Sequence, residues 1–91
     1  MGKILGNKLK QLRKDAKLTQ EEAIAGINHL CRLDYENKGS LSRSALCNYE
    51  KGIRTPSGLM LVMIADFYEV DVKSLIICVA QDCAVKYLLE G

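Results

Sequence analysis

Residues 41–57 read LSRSALCNYEKGIRTPS, and this stretch contains a short helix together with its start and stop signals. Ser42 is a preferred N-cap residue, because its hydroxyl accepts a hydrogen bond from a free backbone N–H of the first turn. Gly52 permits the left-handed turn that ends many helices. The stretch therefore predicts a helix over residues 42–50, and so short a helix needs tertiary packing to persist.

The predicted helix has an apolar side and a polar side. At 3.6 residues per turn, Leu46 and Tyr49 lie together on the side that must be buried. The side chains expected to point outward are those of Arg43, Ser44, Cys47, Asn48 and Lys51. Arginine can bond two acceptors of guanine, asparagine can bond adenine, and serine can meet either kind of base edge. On these residues alone the outward side fits either an ordinary solvated surface or a recognition helix in the major groove of DNA, and the choice depends on the segments that flank the helix.

Two helices are predicted before this stretch. A stripe of leucines at helical spacing predicts a first helix over residues 4–16. Thr19 and Glu22 predict the start of a second helix, because each side chain can bond the free backbone N–H of the other. The apolar pattern of the second helix has no clear end, and residues 34–40 are predicted to form a loop.

Further helices are predicted after Gly52. Pro56 and Ser57 open a fourth helix that ends near Tyr68, and Asp71 caps a fifth that runs to about residue 76. Residues 77–91 are rich in small and apolar side chains and are predicted to form an extra C-terminal helix, with a strand as the alternative. The pattern as a whole predicts an all-α fold.

The composition excludes several classes of protein. The chain has 91 residues, of which 48% are hydrophobic and 26% charged, and this is typical of one ordinary globular domain. The sequence has neither an apolar run of the roughly 18–20 residues that span a membrane nor the apolar core of a signal peptide, so we expect a cytoplasmic protein with no membrane partner. His29 stands alone and the four cysteines form no C-x-x-C pair, so neither a metal nor another cofactor is expected.

Positive charge is concentrated in the first part of the chain. Residues 1–56 carry eleven Lys and Arg against six Asp and Glu, whereas residues 57–91 carry two against five. The asymmetry favours one surface that faces a polyanion, with a lysine-rich solvated surface as the alternative. Lys51, Arg54 and Thr55 lie at or after the end of the predicted recognition helix and are expected to contact DNA phosphates, which position a protein without reading sequence.

Three segments together resemble a known family of DNA-binding proteins. They are LRKDAKLTQEEA at residues 12–23, LSRSALCNYEKGIRTPS at residues 41–57 and LVMIADFYEVDVKSL at residues 61–75. In this order they are similar to successive parts of the Xre/Cro-type, lambda-repressor-like helix-turn-helix. The resemblance covers about residues 3–77 and implies a five-helix bundle that binds operator DNA, usually as a dimer. It divides the chain into a helix-turn-helix domain, residues 1–77, and a C-terminal extension, residues 78–91.

The resemblance also assigns roles to residues outside the recognition helix. It implies that Gln20 touches the DNA backbone and braces the recognition helix, and that Arg13 pairs with Glu50 inside the domain. An arginine fork suits such a partly buried partner. The chain departs from the family pattern in one place: about a dozen extra residues, 28–40, make a long connection between the second and third helices where the family has a short turn.

The apolar residues near the C-terminus exceed what one small core needs. They are Met60, Met63, Phe67, Val79, Val85, Leu88 and Leu89. Large exposed apolar patches mark interfaces, and a two-fold homodimer is the common arrangement. The alternative is a C-terminal extension that folds back and covers the core of its own chain.

The sequence therefore favours a repressor-type transcriptional regulator that binds double-stranded DNA sequence-specifically. Two alternatives remain: an antitoxin that binds both DNA and a protein toxin, and a protein-interaction module that keeps the fold without binding DNA. An enzyme is not expected, because the sequence contains no paired catalytic motif and no glycine-rich phosphate loop.

Overall fold

The structure, a computed structural model, describes residues 2–34 and 40–90. In that part of the chain it contains five helices: α1 (Lys3–Asp15), α2 (Gln20–Asp34), α3 (Arg43–Lys51), α4 (Gly58–Phe67) and α5 (Val72–Glu90). The described residues include no strand, and none of the five helices has the length and hydropathy needed to cross a bilayer. The prediction of an all-α fold is confirmed.

The start of α2 has the predicted capping box. Thr19 Oγ1 accepts a hydrogen bond from the backbone N–H of Glu22 at 3.1 Å, and Glu22 Oε1 accepts one from the backbone N–H of Thr19 at 2.9 Å. These bonds satisfy two donors that a helix N-terminus otherwise leaves without a partner. They also fix the direction in which the first turn of α2 leaves the preceding connection.

The connection between α2 and α3 is shorter than predicted. The predicted connection includes residues 28–34, but in the structure these residues are helical, since α2 continues to Asp34. The apolar stripe explains the difference: Cys31 follows Ile27 at a spacing of four and is buried in the core, so helix packing extends past residue 28. Of the remainder of the predicted connection, residue 40 is not helical, and residues 35–39 lie outside the described residues.

The third helix begins and ends as its caps predict. Ser42 Oγ accepts a hydrogen bond from the backbone N–H of Ala45 at 3.1 Å. Gly52 lies in the left-handed region at φ 76° and donates its N–H to carbonyl oxygens of the last turn. Both predicted caps form, and each bonds to a residue three or four positions away in the chain.

The end of the chain forms one helix. Asp71 Oδ1 accepts a hydrogen bond from the backbone N–H of Lys73 at 3.0 Å, and α5 then continues without interruption to Glu90. The prediction of a separate C-terminal helix after residue 76 was wrong. Neither glycine nor proline occurs between Val72 and Glu90, so nothing in the backbone ends the helix there. The expected boundary between residues 77 and 78 falls inside α5.

The core lies where α1, α3 and α5 meet the pair α2 and α4. Helix α1 packs against α3 and α5, helix α2 packs against α3 and α4, and α4 packs against α5. The largest fully buried side chains of the core are those of Leu5, Ile27, Met63, Ile64, Leu75 and Cys31. Much of the expected apolar surplus enters this core, because Met60 and Met63 are buried and Phe67 and Val79 pack against it. Only Val85, Leu88 and Leu89 of that set remain exposed.

Helices α1 and α3 are in backbone contact at Gly6. A Cβ atom built on Gly6 would lie 2.7 Å from the carbonyl oxygens of both Tyr49 and Glu50. These oxygens belong to the backbone of a capped helix and have little freedom to move. Glycine at position 6 therefore allows α1 to hold the last turn of α3 at a distance that no side chain permits.

A carboxylate from α5 caps the N-terminus of α1. Asp82 Oδ1 accepts a hydrogen bond from the backbone N–H of Ile4 at 2.8 Å, and its Oδ2 accepts one from that of Leu5 at 3.0 Å. A carboxylate at this position also interacts favourably with the positive end of the helix dipole. The first part of the predicted C-terminal extension is thus a continuation of α5 that contacts α1.

Candidate nucleic-acid interface

On the outward side of α3, the side chains at the two ends of the helix are exposed to solvent. Arg43 and Ser44 at the first turn and Lys51 at the last turn are exposed, whereas Cys47 and Asn48 between them are half-buried. The buried side holds Leu46 and Tyr49, as the helical period predicts. The N-terminal end of a recognition helix is the end that points into the major groove, and here that end carries an arginine and a serine.

Arg43 forms an ion pair with the second helix. Its Nη1 lies 3.2 Å from Oε1 of Glu21, and the two side chains are 74% and 60% exposed. The pair places the first turn of α3 beside the first turn of α2. Both carboxylates in the first turn of α2 have partners, since Glu22 caps its own helix and Glu21 faces Arg43.

The pair expected between Arg13 and Glu50 forms, and it is bidentate. Arg13 Nε donates to Glu50 Oε2 at 2.7 Å, and Arg13 Nη2 donates to Glu50 Oε1 at 2.9 Å. The side chains are only 12% and 5% exposed. Arg13 also donates to the carbonyl oxygen of Leu18 at 2.9 Å. One guanidinium thus joins α1, the connection to α2 and the last turn of α3.

Gln20 completes this cluster from the start of α2. Its Nε2 donates to Glu50 Oε1 at 3.2 Å, so the expected contact between Gln20 and α3 is present. The side chain is half-buried, and its amide oxygen accepts no hydrogen bond from another described residue. Among the described residues, no buried side-chain nitrogen or oxygen lacks a hydrogen-bond partner. The base of α3 is therefore held by satisfied, charge-assisted bonds.

Electrostatic effects of the cluster reach two neighbouring groups. The hydrogen bond to Glu50 raises the pKa of Arg13 above its ordinary value, so the guanidinium stays charged. Burial raises the pKa of Tyr68 to about 12, the carboxylate of Glu50 adds to the rise, and Arg13 opposes it. Tyr68 is therefore neutral at physiological pH and adds no charge near the ion pair.

The start of α3 is held by a contact that the sequence analysis missed. Asn28 donates from Nδ2 to the carbonyl oxygen of Leu41 at 2.9 Å, and its Oδ1 accepts a hydrogen bond from the backbone N–H of Leu41 at 2.7 Å. One amide side chain of α2 thus binds both backbone groups of the residue before the N-cap. The only signal in the sequence was an asparagine in the middle of an apolar helical stripe, which helix propensity alone does not favour.

Arg54 and Thr55 follow α3 and are exposed. The guanidinium of Arg54 lies 5.8 Å from the centre of the Tyr49 ring, within the range of a cation–π contact. Both residues line an open groove of about 400 Å³ between α3 and α4, together with Ser57 and Met60. Arg54 is therefore held near the last turn of α3, which also contains Lys51.

The described residues hold no arrangement suited to a metal ion. No group of three or more His, Cys, Asp or Glu side chains in residues 2–34 and 40–90 is placed to bind one. Cys31 is buried in the core, Cys47 and Cys78 are half-buried, and Cys83 is exposed. The cysteines are thus distributed over three helices.

Comparisons of the chain with family models, with curated proteins and with solved structures found no match. The chemical character of the surface around α3 is therefore the basis for any assignment of function. That surface combines an exposed arginine and serine at the first turn of a capped helix with two exposed cations at or after its last turn.

Proposed function

We propose that this protein is a repressor-type regulator that binds double-stranded DNA with α3 in the major groove. Three sequence segments of the chain resemble the lambda-repressor-like helix-turn-helix, in which the second and third helices of a five-helix bundle meet the DNA. The observation that carries the proposal is the exposed, polar first turn of α3 on a helix fixed at both ends. Asn28 holds its start, and the pair Arg13–Glu50 holds its end. A catalytic activity is not part of this proposal, and we place the protein in the cytoplasm.

We assign roles to the individual side chains from their positions on α3. In this proposal Arg43 and Ser44 meet base edges, and Asn48, half-buried beside them, meets an adjacent base pair. Lys51, Arg54 and Thr55, at or after the other end of α3, meet phosphates. Cys47 lies between the two groups and supplies an uncharged contact. Gln20 donates to Glu50 from the first turn of α2, and in this proposal it touches the DNA backbone beside the N-terminus of that helix.

The test is a binding selection from random duplex DNA, followed by sequencing of the bound fraction. The wild type should enrich a specific site, and Arg43→Ala should cost about 1–3 kcal/mol on that site and relax the preference at one G·C base pair. Asn48→Ala should relax a different base pair. Arg43→Lys keeps the charge but loses the two-pronged guanidinium, so it should lose preference and keep its salt dependence.

Two outcomes would contradict this proposal. Equal loss of affinity on every duplex in Arg43→Ala would make Arg43 a phosphate contact rather than a reader of bases. Failure of the wild type to bind any duplex would favour a protein-interaction module. Lys10→Ala, which removes an exposed charge from α1, is the matched control.

A second proposal concerns assembly and rests on the exposed end of α5. Leu88 and Leu89 are 79% and 83% exposed, and Tyr87 beside them is exposed as well. Apolar side chains in consecutive positions at such exposure favour burial against a partner. We propose that two copies pair through this end of α5, so that the base-reading positions recur in a site with half-site centres about 10 base pairs apart.

Sedimentation of the purified chain tests the pairing. The wild type should sediment as a dimer, and the double variant Leu88→Ser, Leu89→Ser should sediment as a monomer with unchanged helix content. Val62→Ser, at an exposed position of α4, is the control. A wild type that stays monomeric at high concentration would favour the antitoxin reading, in which the end of α5 binds a different protein.

A further inference from the structure

Glu21 is an anion within the surface that the proposed function turns towards a polyanion. Its carboxylate is 60% exposed and lies 3.2 Å from Nη1 of Arg43. An ion pair this exposed contributes little to folding stability. Stabilisation of the fold therefore does not explain the ion pair. In the proposed function, the pair instead affects how Arg43 contacts DNA.

The backbone of Glu21 is held in place by its two neighbours. Gln20 bonds to Glu50 of α3, and Glu22 bonds to the backbone of Thr19. The bond from Gln20 joins the first turn of α2 to α3, and the bond from Glu22 fixes that turn to the preceding connection; Glu21 lies between the two residues in sequence. A carboxylate on so restrained a turn limits the rotamers of the long arginine side chain that it binds.

The pair also changes which ligands Arg43 prefers. A guanidinium has five N–H donors, and one of its nitrogens, Nη1, faces Glu21, so donors remain for the O6 and N7 acceptors of a guanine. The pair as a whole carries no net charge. It is therefore a weak ligand for a phosphate anion, whose attraction is electrostatic, and keeps its ability to bond a neutral base edge.

We infer that Glu21 is a positioning residue that directs Arg43 to a guanine and keeps it from neighbouring phosphates. This inference rests on the proposed function, in which α3 enters the major groove. Glu21 lowers the affinity for DNA in general and raises the preference for one base pair, so it acts on specificity rather than on affinity.

The experiment measures the affinity of the full chain for two 20-base-pair duplexes that differ only at the G·C pair read by Arg43. Glu21→Ala should bind both duplexes more tightly and lose at least about threefold of the affinity ratio between them, out of the roughly 5- to 150-fold that one arginine–guanine contact supplies. Its log–log slope against salt should steepen by about 0.9, because the freed arginine binds a phosphate. Glu21→Gln keeps an oxygen acceptor for Arg43 but not the neutralising charge, so it should recover only part of the ratio.

Two further variants separate positioning from simple charge. Asp15→Ala removes an exposed carboxylate from α1 and should leave the ratio unchanged. In an Arg43→Ala background, Glu21→Ala should no longer alter the ratio, because the residue through which it acts is absent. All variants should keep the wild-type melting temperature.

Two results would overturn the inference. A uniform gain in affinity for Glu21→Ala on both duplexes, with an unchanged ratio, would show that Glu21 only repels DNA and would leave the proposed function standing. A wild type that binds neither duplex, nor any other, would overturn the proposed function and this inference with it.

Discussion

Loss of the Arg13 side chain should destabilise the domain strongly, because it would leave the carboxylate of Glu50 buried with one neutral donor. Glu50 is 5% exposed and receives two bonds from Arg13 at 2.7 and 2.9 Å, against one from Gln20 at 3.2 Å. Removing one partner of a buried pair costs about 3–5 kcal/mol. Gln20 remains, so we expect a loss of about 3 kcal/mol for Arg13→Ala. A domain of this size has about 5–14 kcal/mol of stability in total.

Calorimetry or thermal circular dichroism measures this loss. At about 4–8 °C for each kcal/mol in a small domain, the melting temperature of Arg13→Ala should fall by roughly 12–24 °C. Lys14→Ala, the exposed neighbour, should melt as the wild type does. Adding Glu50→Gln to Arg13→Ala should restore part of the stability, because the unpaired charge is removed. A melting temperature for Arg13→Ala within about 2 °C of the wild type would refute the argument, since it would mean that water reaches Glu50 freely.

Three further predictions concern other parts of the bundle. Gly6→Ala should cost about 1–3 kcal/mol or more in urea unfolding, because its Cβ would meet backbone oxygens of α3, whereas Gly58→Ala, whose Cβ would meet nothing within 4 Å, should cost much less. Burial raises the pKa of Tyr68 to about 12 from 10.0, so its contribution to stability is complete below pH 10 and is lost as the pH rises through 12. In an alkaline titration of stability, Tyr68→Phe should therefore show a shallower decline in this window, and Tyr87→Phe, at an exposed position, should decline as the wild type does. Asp82→Ala removes the cap of α1 and should cost about 0.5–2 kcal/mol in urea unfolding; no change would mean that water replaces the carboxylate.

Features that depend on neighbours in sequence were predictable. Each cap of α3 bonds to backbone atoms only three or four residues away in the chain, and both the cap at Ser42 and the cap at Gly52 form. The capping box at the start of α2 is similarly local. The pairing of Arg13 with Glu50 was expected only from the resemblance to a family, because nothing in the sequence between them indicates that these two positions meet.

Features that depend on tertiary contacts were not predictable. Asp82 caps Ile4 and Leu5, which lie 78 and 77 positions before it in the chain. An aspartate on an apolar helix gives no indication of such distant partners. The contact between Glu21 and Arg43 likewise depends on how two helices lie beside each other. The continuity of α5 was missed because its apolar residues surround the helix, so no periodicity distinguished one helix from two short elements.

The cap from Asp82 has a consequence for the order in which this protein folds during synthesis. The N-terminus of α1 receives its cap from α5, and Gly2 at the same end donates its N–H to the carbonyl oxygen of Gly52 at 2.8 Å. Contacts between residues so distant in the chain slow folding, because the loop between them must close before the contact is gained. A ribosome adds residues from the N-terminus, so α1 emerges first and waits until residue 82 has been made and has left the exit tunnel. Until then the nascent chain exposes the buried side of α1, and the bundle cannot close around the N-terminus of α1.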